Sequence, residues 1–158
     1  MNDDGGWIVT GPGTDGPFEW FDRDLTRSRL LFDGDGTLLV QDGRIEVLEN
    51  VACCISQDYG RVSGRLWSLS PDREPELLAR RAAQPYAHLP AGGIVTVLDV
   101  DEDWLGELVA VDPESLEELR VDDRVVSGAR HVDDDGTILY GVSDEDRTGV
   151  WITRVSAQ

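Results

Sequence analysis

Alternate aspartates are the feature of this chain that most strongly suggests chemistry. Asp99, Asp101 and Asp103 occupy every second position of the stretch DVDEDWLGELVAVD. Carboxylates at this spacing suit Ca²⁺, but an EF-hand loop also needs glycine at its sixth position and glutamate at its twelfth. Counting from Asp99, these two positions hold Trp104 and Ala110, so the calcium pattern fails twice.

A second acidic loop, VSDEDRTG, comes closer to a cation site. Asp144, Asp146 and Thr148 place oxygen atoms on alternate positions, and Gly149 fits the sixth position of the calcium pattern. Val155, however, stands where the bidentate glutamate is required. The pattern excludes an EF-hand, and two interpretations remain open: a partial calcium site at this loop, or a solvent-exposed hairpin turn.

The other reactive side chains form no catalytic pattern. His88 and His131 are the only histidines, and because no third ligand recurs with them, a structural role is favoured over a shared metal or an acid–base pair. Cys53 and Cys54 are adjacent, which favours two buried thiols over a strained vicinal disulfide. The sequence has no nucleophile elbow and no glycine-rich phosphate loop leading into a helix. We therefore expect a protein that is not an enzyme and needs no cofactor.

The composition restricts the partners. The chain has 158 residues, of which 32 are acidic and 14 basic, for a formal charge of -18. Such a charge repels nucleic acids and anionic membranes and favours a basic protein partner, although adaptation to salt explains the acidity equally well. No apolar run reaches the roughly 18 residues of a membrane span, and the first residues lack a signal-peptide pattern. We expect a soluble protein, in a compartment that the sequence does not specify.

The acidic loops belong to a repeat. The segment GRLWSLSPDREPELL from Gly64 matches GELVAVDPESLEELR from Gly106, 42 residues later, and GVWITRVS begins 43 residues further on, at Gly149. A second set of β-rich segments has the same period, namely VACCIS from Val51, IVTVLDV from Ile94 and TILYGV from Thr137. Periods of this length are typical of repeat architectures, including β-propellers.

Each repeat is predicted to form four short antiparallel strands joined by tight turns. In the middle copy the predicted strands are Pro85 to Leu89, Ile94 to Val100, Glu107 to Asp112 and Leu116 to Val121. The predicted units are roughly 6–33, 36–80, 84–121 and 124–155, within a single domain spanning 1–158. Three tryptophans recur in third strands and are expected to pack in the core: Trp20, Trp67 and Trp151.

The stretch ARHVDDDGTILYGVSDEDRTGVWITRV, residues 129–155, resembles a blade of the TolB-like and related β-propellers, in which a DG turn leads from an inner strand into a second and a third. The resemblance covers about 120 residues and concerns the fold. It implies an all-β, partial β-propeller of about three and a half blades, fewer than the 4 to 8 of a closed ring. Three explanations remain: part of a longer propeller, two copies that together make about seven blades, or an open arrangement.

In such blades, the hairpins between second and third strands lie on one face, which places acidic residues from successive copies together. The predicted acidic face comprises Asp58, Asp99, Asp101, Glu102, Asp103, Asp144, Glu145 and Asp146, with Trp104 as an aromatic contact. We expect a non-enzymatic protein-binding or scaffold module, with self-association as a homodimer completing the propeller. The alternatives are a small acidic inhibitor or immunity-type protein that binds a basic target, and a fragment of an enzyme.

Overall fold

The computed structural model describes residues 6–10, 16–41, 43–49 and 62–155, and every regular element in these ranges is a β-strand. The strands are β1 (Trp7–Thr10), β2 (Phe18–Phe21), β3 (Ser28–Phe32), β4 (Gly36–Gln41), β5 (Arg44–Glu49), β6 (Gly64–Ser70), β7 (Arg73–Ala82), β8 (Tyr86–His88), β9 (Ile94–Leu98), β10 (Leu105–Val111), β11 (Glu118–Val132), β12 (Thr137–Val142) and β13 (Gly149–Arg154). The predicted all-β class with antiparallel sheets is confirmed. Cys53, Cys54 and Asp58 lie outside the described residues.

The chain divides into two compact units. The first contains β1 to β6 and the beginning of β7, and the second contains the end of β7 and all later strands. In the first unit, β1, β2 and β3 form a three-stranded sheet. A separate four-stranded sheet has the order β4-β5-β6-β7, and the end of its last strand belongs to the second unit. The β4–β5 hairpin runs from Gly36 opposite Glu49 to Gln41 opposite Arg44. Gly43 in its turn has a φ of 76°, which a glycine adopts without strain.

The core of the first unit follows from alternation along β5. Ile45 and Val47 point to the same face, because successive side chains of a strand alternate between faces. There they form a buried cluster with Phe18, Leu31 and Leu69. Two tryptophans pack against this cluster from the neighbouring strands, Trp20 of β2 and Trp67 of β6.

The second unit contains one six-stranded antiparallel sheet with the order β13-β12-β11-β10-β9-β8. β11 also contacts β8 and β9, so the sheet curls into a nearly closed, barrel-like shape. Val95 and Val97 of β9 point into this curl and belong to a buried cluster with Leu108, Val125 and Ile138, among others. The curled sheet therefore encloses its own hydrophobic core.

β9 is buried on both faces, which explains why its sequence, IVTVL, is almost entirely apolar. Its one polar side chain is Thr96, which is fully buried. The hydroxyl of Thr96 donates to the carbonyl of Ala83 at 2.9 Å and accepts from the amide of the same residue at 3.1 Å. A buried hydroxyl must be hydrogen-bonded, and here it also ties β9 to the segment that precedes β8.

The long strand β11 differs from the sequence prediction. The segment Leu116 to Val121 was expected to end one unit and 124–155 to form the next, but Glu118–Val132 is one continuous strand of 15 residues. Its first half pairs with β10 and its second half with β12, with an irregular register between Val125 and Arg130. In this strand, arginine and tyrosine side chains hydrogen-bond the two aspartates of the polar segment at 122–124 and stabilise them, as described below.

Candidate functional site

The acidic loop between β9 and β10 is built around Asp101. The amide of Asp101 donates to the carbonyl of Leu105 at 2.9 Å. Its carboxylate oxygen Oδ1 accepts from the amides of Asp103 at 2.9 Å and Leu105 at 3.0 Å. These backbone bonds, led by the one from Leu105, hold the pKa of Asp101 below its usual value. One carboxylate oxygen of this predicted binding residue therefore serves to shape the loop.

Trp104 lies at the tip of the same loop, in a fixed backbone conformation. Its φ is 63°, in the left-handed region. Its amide donates to the carbonyl of Asp101 at 3.2 Å, and its carbonyl accepts from the amide of Ser127 at 2.9 Å. The residue is 37% exposed. The loop thus presents a partly exposed aromatic ring on a backbone that is hydrogen-bonded on both sides.

Arginines neutralise two of the aspartates in this loop. Arg81 Nη2 lies 2.6 Å and 2.8 Å from the two carboxylate oxygens of Asp99, and this hydrogen bond raises the pKa of Arg81. Arg124 Nη1 donates to Oδ2 of Asp101 at 2.9 Å. Glu102 and Asp103 are exposed at the tip. The loop therefore exposes two further carboxylates next to Trp104 in the chain.

The second acidic loop, between β12 and β13, is closed by its own backbone. The carbonyl of Asp144 accepts from the hydroxyl of Thr148 at 2.7 Å and from the amide of Arg147 at 3.3 Å. Oδ1 of Asp144 accepts from the amide of Glu145 at 2.9 Å. Asp146 is exposed. The residues predicted as a partial calcium site thus take part in a hydrogen-bonded turn, and the described residues contain no group of three or more histidine, cysteine, aspartate or glutamate side chains placed to hold a metal ion.

Both loops contact the same bend of β11, which no motif in the sequence indicates. Arg124, with a φ of 53°, binds Asp101 through its guanidinium, and its carbonyl accepts from the amide of Ser143 at 3.0 Å. Two residues earlier, Asp122 accepts from Arg147 Nη1 at 2.7 Å. The bend at 122–124 therefore fixes the positions of the two acidic loops.

The ion pair at this bend extends into the core. The hydroxyl of Tyr140, a residue only 5% exposed, donates to Oδ2 of Asp122 at 2.9 Å. Burial and this hydrogen bond raise the pKa of Tyr140 to about 12. Burial also tends to raise the pKa of Asp122, but the hydrogen bonds from Arg147, the Asp123 amide and Tyr140 outweigh it, so that the net pKa is lowered.

A turn with the pattern Asp-x-Asp-x-Thr/Leu recurs in the described residues and gives some of the aspartates a structural role. Its first aspartate accepts, through Oδ1, a hydrogen bond from the backbone amide four residues later. The distances are 2.7 Å for Asp22 and Thr26, 3.0 Å for Asp101 and Leu105, and 2.7 Å for Asp133 and Thr137. The fourth residue always has a positive φ, at Leu25, Trp104 and Gly136. These five-residue stretches are readable in the sequence and mark hairpin turns in which the aspartate replaces a backbone acceptor.

The two histidines differ in their surroundings. His88 of β8 is partly buried and meets the ring of Tyr86 edge-on, with the ring centroids 5.7 Å apart. His131 of β11 is exposed, opposite Leu139 of β12. Trp151 was predicted to lie in the core, but it is 41% exposed on β13, and its indole N–H donates to the carbonyl of Arg147 at 3.0 Å.

The first unit has a separate open groove of about 370 Å³. It is lined by Leu30, Leu31, Phe32, Asp33, Trp67, Glu74 and Pro75. Glu74, one of these residues, accepts a hydrogen bond from Arg29 at 2.6 Å, and Arg29 also donates to the carbonyl of Pro71 at 2.8 Å. Five of the seven lining residues are apolar.

Comparison of the chain with models of known protein families, with curated proteins and with solved structures finds no match. No helix in the ranges that the structure describes has the length and apolar character needed to cross a membrane.

Proposed function

We propose that this protein is a non-enzymatic binding module that presents the acidic loop surface to a basic protein partner. The acidic loop surface comprises Asp99, Asp101, Glu102, Asp103, Trp104, Asp144, Glu145 and Asp146. The observation that carries the proposal is the hydrogen-bonded Asp101 turn, which holds Trp104 partly exposed beside Glu102 and Asp103. An aromatic side chain on an ordered backbone loses little entropy on binding, and surrounding carboxylates steer a basic partner towards it.

We further propose that the strands correspond to the blades of a partial β-propeller that self-association completes. Supporting this, the sheet of β1 to β3 and the sheet of β4 to β7 have nearly the bounds predicted for the first two units, 6–33 and 36–80. The last two units share the long strand β11 and so form a single sheet. A homodimer would supply the strands that a closed ring requires.

The net charge of -18 favours a second candidate within the same class of interaction, an acidic inhibitor or immunity-type protein. It would cover a basic active site with the same loops. Stoichiometric loss of the target's activity distinguishes this candidate from a scaffold, which leaves the activity of its partner unchanged.

Binding to an arginine-rich peptide, measured by calorimetry, tests the main proposal. Trp104→Ala should weaken binding about tenfold or more, as expected for an aromatic contact at the centre of an interface. Replacing Glu102 by Gln and Asp103 by Asn should weaken it further and flatten its dependence on salt. All three residues are exposed in the structure, so the fold should be retained.

A charge-matched control separates this surface from the general acidity of the chain. Glu114 and Glu117 are exposed in the turn between β10 and β11, and replacing both by Gln removes the same two charges. The control should bind the peptide nearly as well as the wild type. The acidic loop surface is not the binding site if both pairs of substitutions weaken peptide binding equally. The same conclusion follows if the Trp104→Ala variant binds the peptide as well as the wild type does.

A further inference from the structure

β13 leaves one edge of the six-stranded sheet unpaired among the described strands. It is the last strand in the sheet order and pairs there only with β12. An unpaired edge strand presents a row of backbone donors and acceptors to another strand. Proteins usually protect such edges with charged side chains, proline or a covering segment. The sequence of β13, GVWITR, has no proline, and its one charged residue is the last.

The side chains of β13 are apolar and unusually exposed. Val150 is 73% exposed and Ile152 is 69% exposed. Because Ile152 lies opposite Leu139 of β12, these side chains share one face, and Leu139 is itself 40% exposed. Trp151 points to the opposite face and is 41% exposed. Both faces of the edge strand thus offer apolar surface where the sheet ends.

We propose that β13 pairs antiparallel with β13 of a second copy of this chain, which joins the two six-stranded sheets into one. This inference rests on the self-association proposed above and names its surface and register; it joins two sheets edge to edge and does not depend on the closure of a propeller ring. A two-fold axis perpendicular to the sheet at Trp151 places the two Trp151 residues opposite each other. Val150 of each copy then lies opposite Ile152 of the other, and Gly149 opposite Thr153. Side chains in directly opposite positions project from the same side of the joined sheet. Each contact occurs twice, as in any isologous interface.

This register creates the cross-strand pairs that stabilise sheets. Two pairs of Val150 with Ile152 form on one face, next to Leu139 of each copy, and an aromatic pair of Trp151 residues forms on the other. Aromatic and β-branched residues in directly opposite positions are among the favourable pairs in antiparallel sheets. Because β13 is complementary to itself, the pairing needs no strand from another protein.

Charge also favours a second copy at this strand. The whole chain carries -18, but β13 contains no acidic residue and one arginine, so the strand itself adds no negative charge to the contact. Arg154 is well exposed, and its guanidinium lies 3.7 Å from the carboxylate of Asp135. In the proposed register, Arg154 lies opposite Thr148 of the second copy, beside the exposed Asp146. Each copy thus contributes one arginine to the acidic loop of the other.

Light scattering on the full chain tests the proposal. The wild type should be a dimer, and Val150→Lys combined with Ile152→Lys should raise its dissociation constant by at least about 100-fold, because the lysines oppose each other across the edge. Both positions are exposed, so the thermal midpoint of the dilute variant should stay close to that of the dilute wild type. The control variant, Leu25→Lys combined with Leu119→Lys, adds the same charge at two exposed apolar positions outside β13. It should remain a dimer.

Hydrogen exchange identifies the strand directly. Amides of residues 149–154 that point away from β12 should exchange more slowly in the wild-type dimer than in the lysine variant. A wild type that is monomeric at high concentration would overturn both the self-association and the inference. A dimer that persists in the Val150 and Ile152 variant would overturn the inference alone, as would dissociation of the Leu25 and Leu119 control.

Salt distinguishes this contact from binding of a basic partner. Two copies that each carry -18 repel each other, so added salt should strengthen the dimer by screening. The same salt should weaken the complex of the acidic loop surface with an arginine-rich peptide. A dimer that dissociates in salt would contradict an apolar strand pairing. Loss of peptide binding with an intact dimer would count against the acidic loop surface only.

Discussion

The hydrogen bond from Tyr140 to Asp122 should be a large single contribution to the stability of the second unit. Tyr140→Phe removes the hydroxyl and keeps the ring, so the surrounding core remains filled. The lost bond is 2.9 Å long and has a charged acceptor, with Arg147 2.7 Å from the other carboxylate oxygen. Hydrogen bonds to charged groups contribute about 1.5–3 kcal/mol, and we expect a loss of about 2 kcal/mol in the free energy of unfolding.

Urea unfolding followed by tryptophan fluorescence measures this loss, with an unchanged slope indicating the same folded and unfolded states. A double-mutant cycle identifies the partner: in an Asp122→Ala background, Tyr140→Phe should cost less than about 0.5 kcal/mol. A stability of Tyr140→Phe within about 0.5 kcal/mol of the wild type would refute the role of this bond. An equally large cost in both backgrounds would show that the hydroxyl acts through another group.

The same residue predicts an alkaline pH dependence. The pKa of Tyr140 is raised from 10.0 to about 12 in the folded chain, so the folded state keeps a proton that the unfolded state loses. Its contribution is fully present below pH 10 and is lost as the pH rises towards 12. Over this window the loss is at most about 2.7 kcal/mol, at about 1.36 kcal/mol per pKa unit. The stability of the Phe variant should fall less steeply in this range, and parallel curves would contradict the shift.

Three further predictions concern the framework of the second unit. Thr96→Val should lower the free energy of unfolding by about 2 kcal/mol in urea titrations, because it removes both hydrogen bonds to Ala83; an unchanged midpoint would contradict this. Gly93→Ala should cost about 3 kcal/mol or more by the same measurement, since an added Cβ would lie 2.2 Å from the carbonyl oxygen of Val111 at a φ of 75°; full stability would show that the turn can relax. The pKa of Asp133 is lowered mainly by the amide of Thr137, so its contribution is present above about pH 4 and is lost in acid. Asp133→Asn should therefore flatten the fall of the thermal midpoint below pH 4, and identical acid profiles would contradict the role of this carboxylate.

Much of the local structure could be predicted because it depends on neighbouring residues. The apolar run IVTVL at Ile94–Leu98 and the alternating segment that becomes β5 indicate strands by their own composition. The Gly43 turn follows from the residue types between two such segments. The acidic stretch at Asp101 was correctly expected to be a hairpin connection, and its aspartate spacing, which first suggests calcium, reflects backbone amides that need an acceptor.

The site could be predicted only in part. The sequence indicated which residues are acidic and which loop carries Trp104, but not that Arg81 and Arg124 would neutralise Asp99 and Asp101. Those arginines lie 18 and 23 residues away from their partners along the chain. No local pattern reveals such pairs, because they depend on which strands become neighbours in the sheet.

By itself, the amino-acid sequence determined the all-β class, several of the strands and turns and the strongly negative charge, because alternation, turn residues and ionisable groups act over a few neighbouring positions. Only the tertiary structure decided that β11 would run unbroken from one predicted unit into the next, since Asp122 is stabilised by Arg147 and Tyr140 from elsewhere in the sheet. It also decided that Trp151 would stand at an edge instead of in a core. The burial of a side chain depends on what covers its strand, and that covering comes from distant parts of the chain or from another molecule.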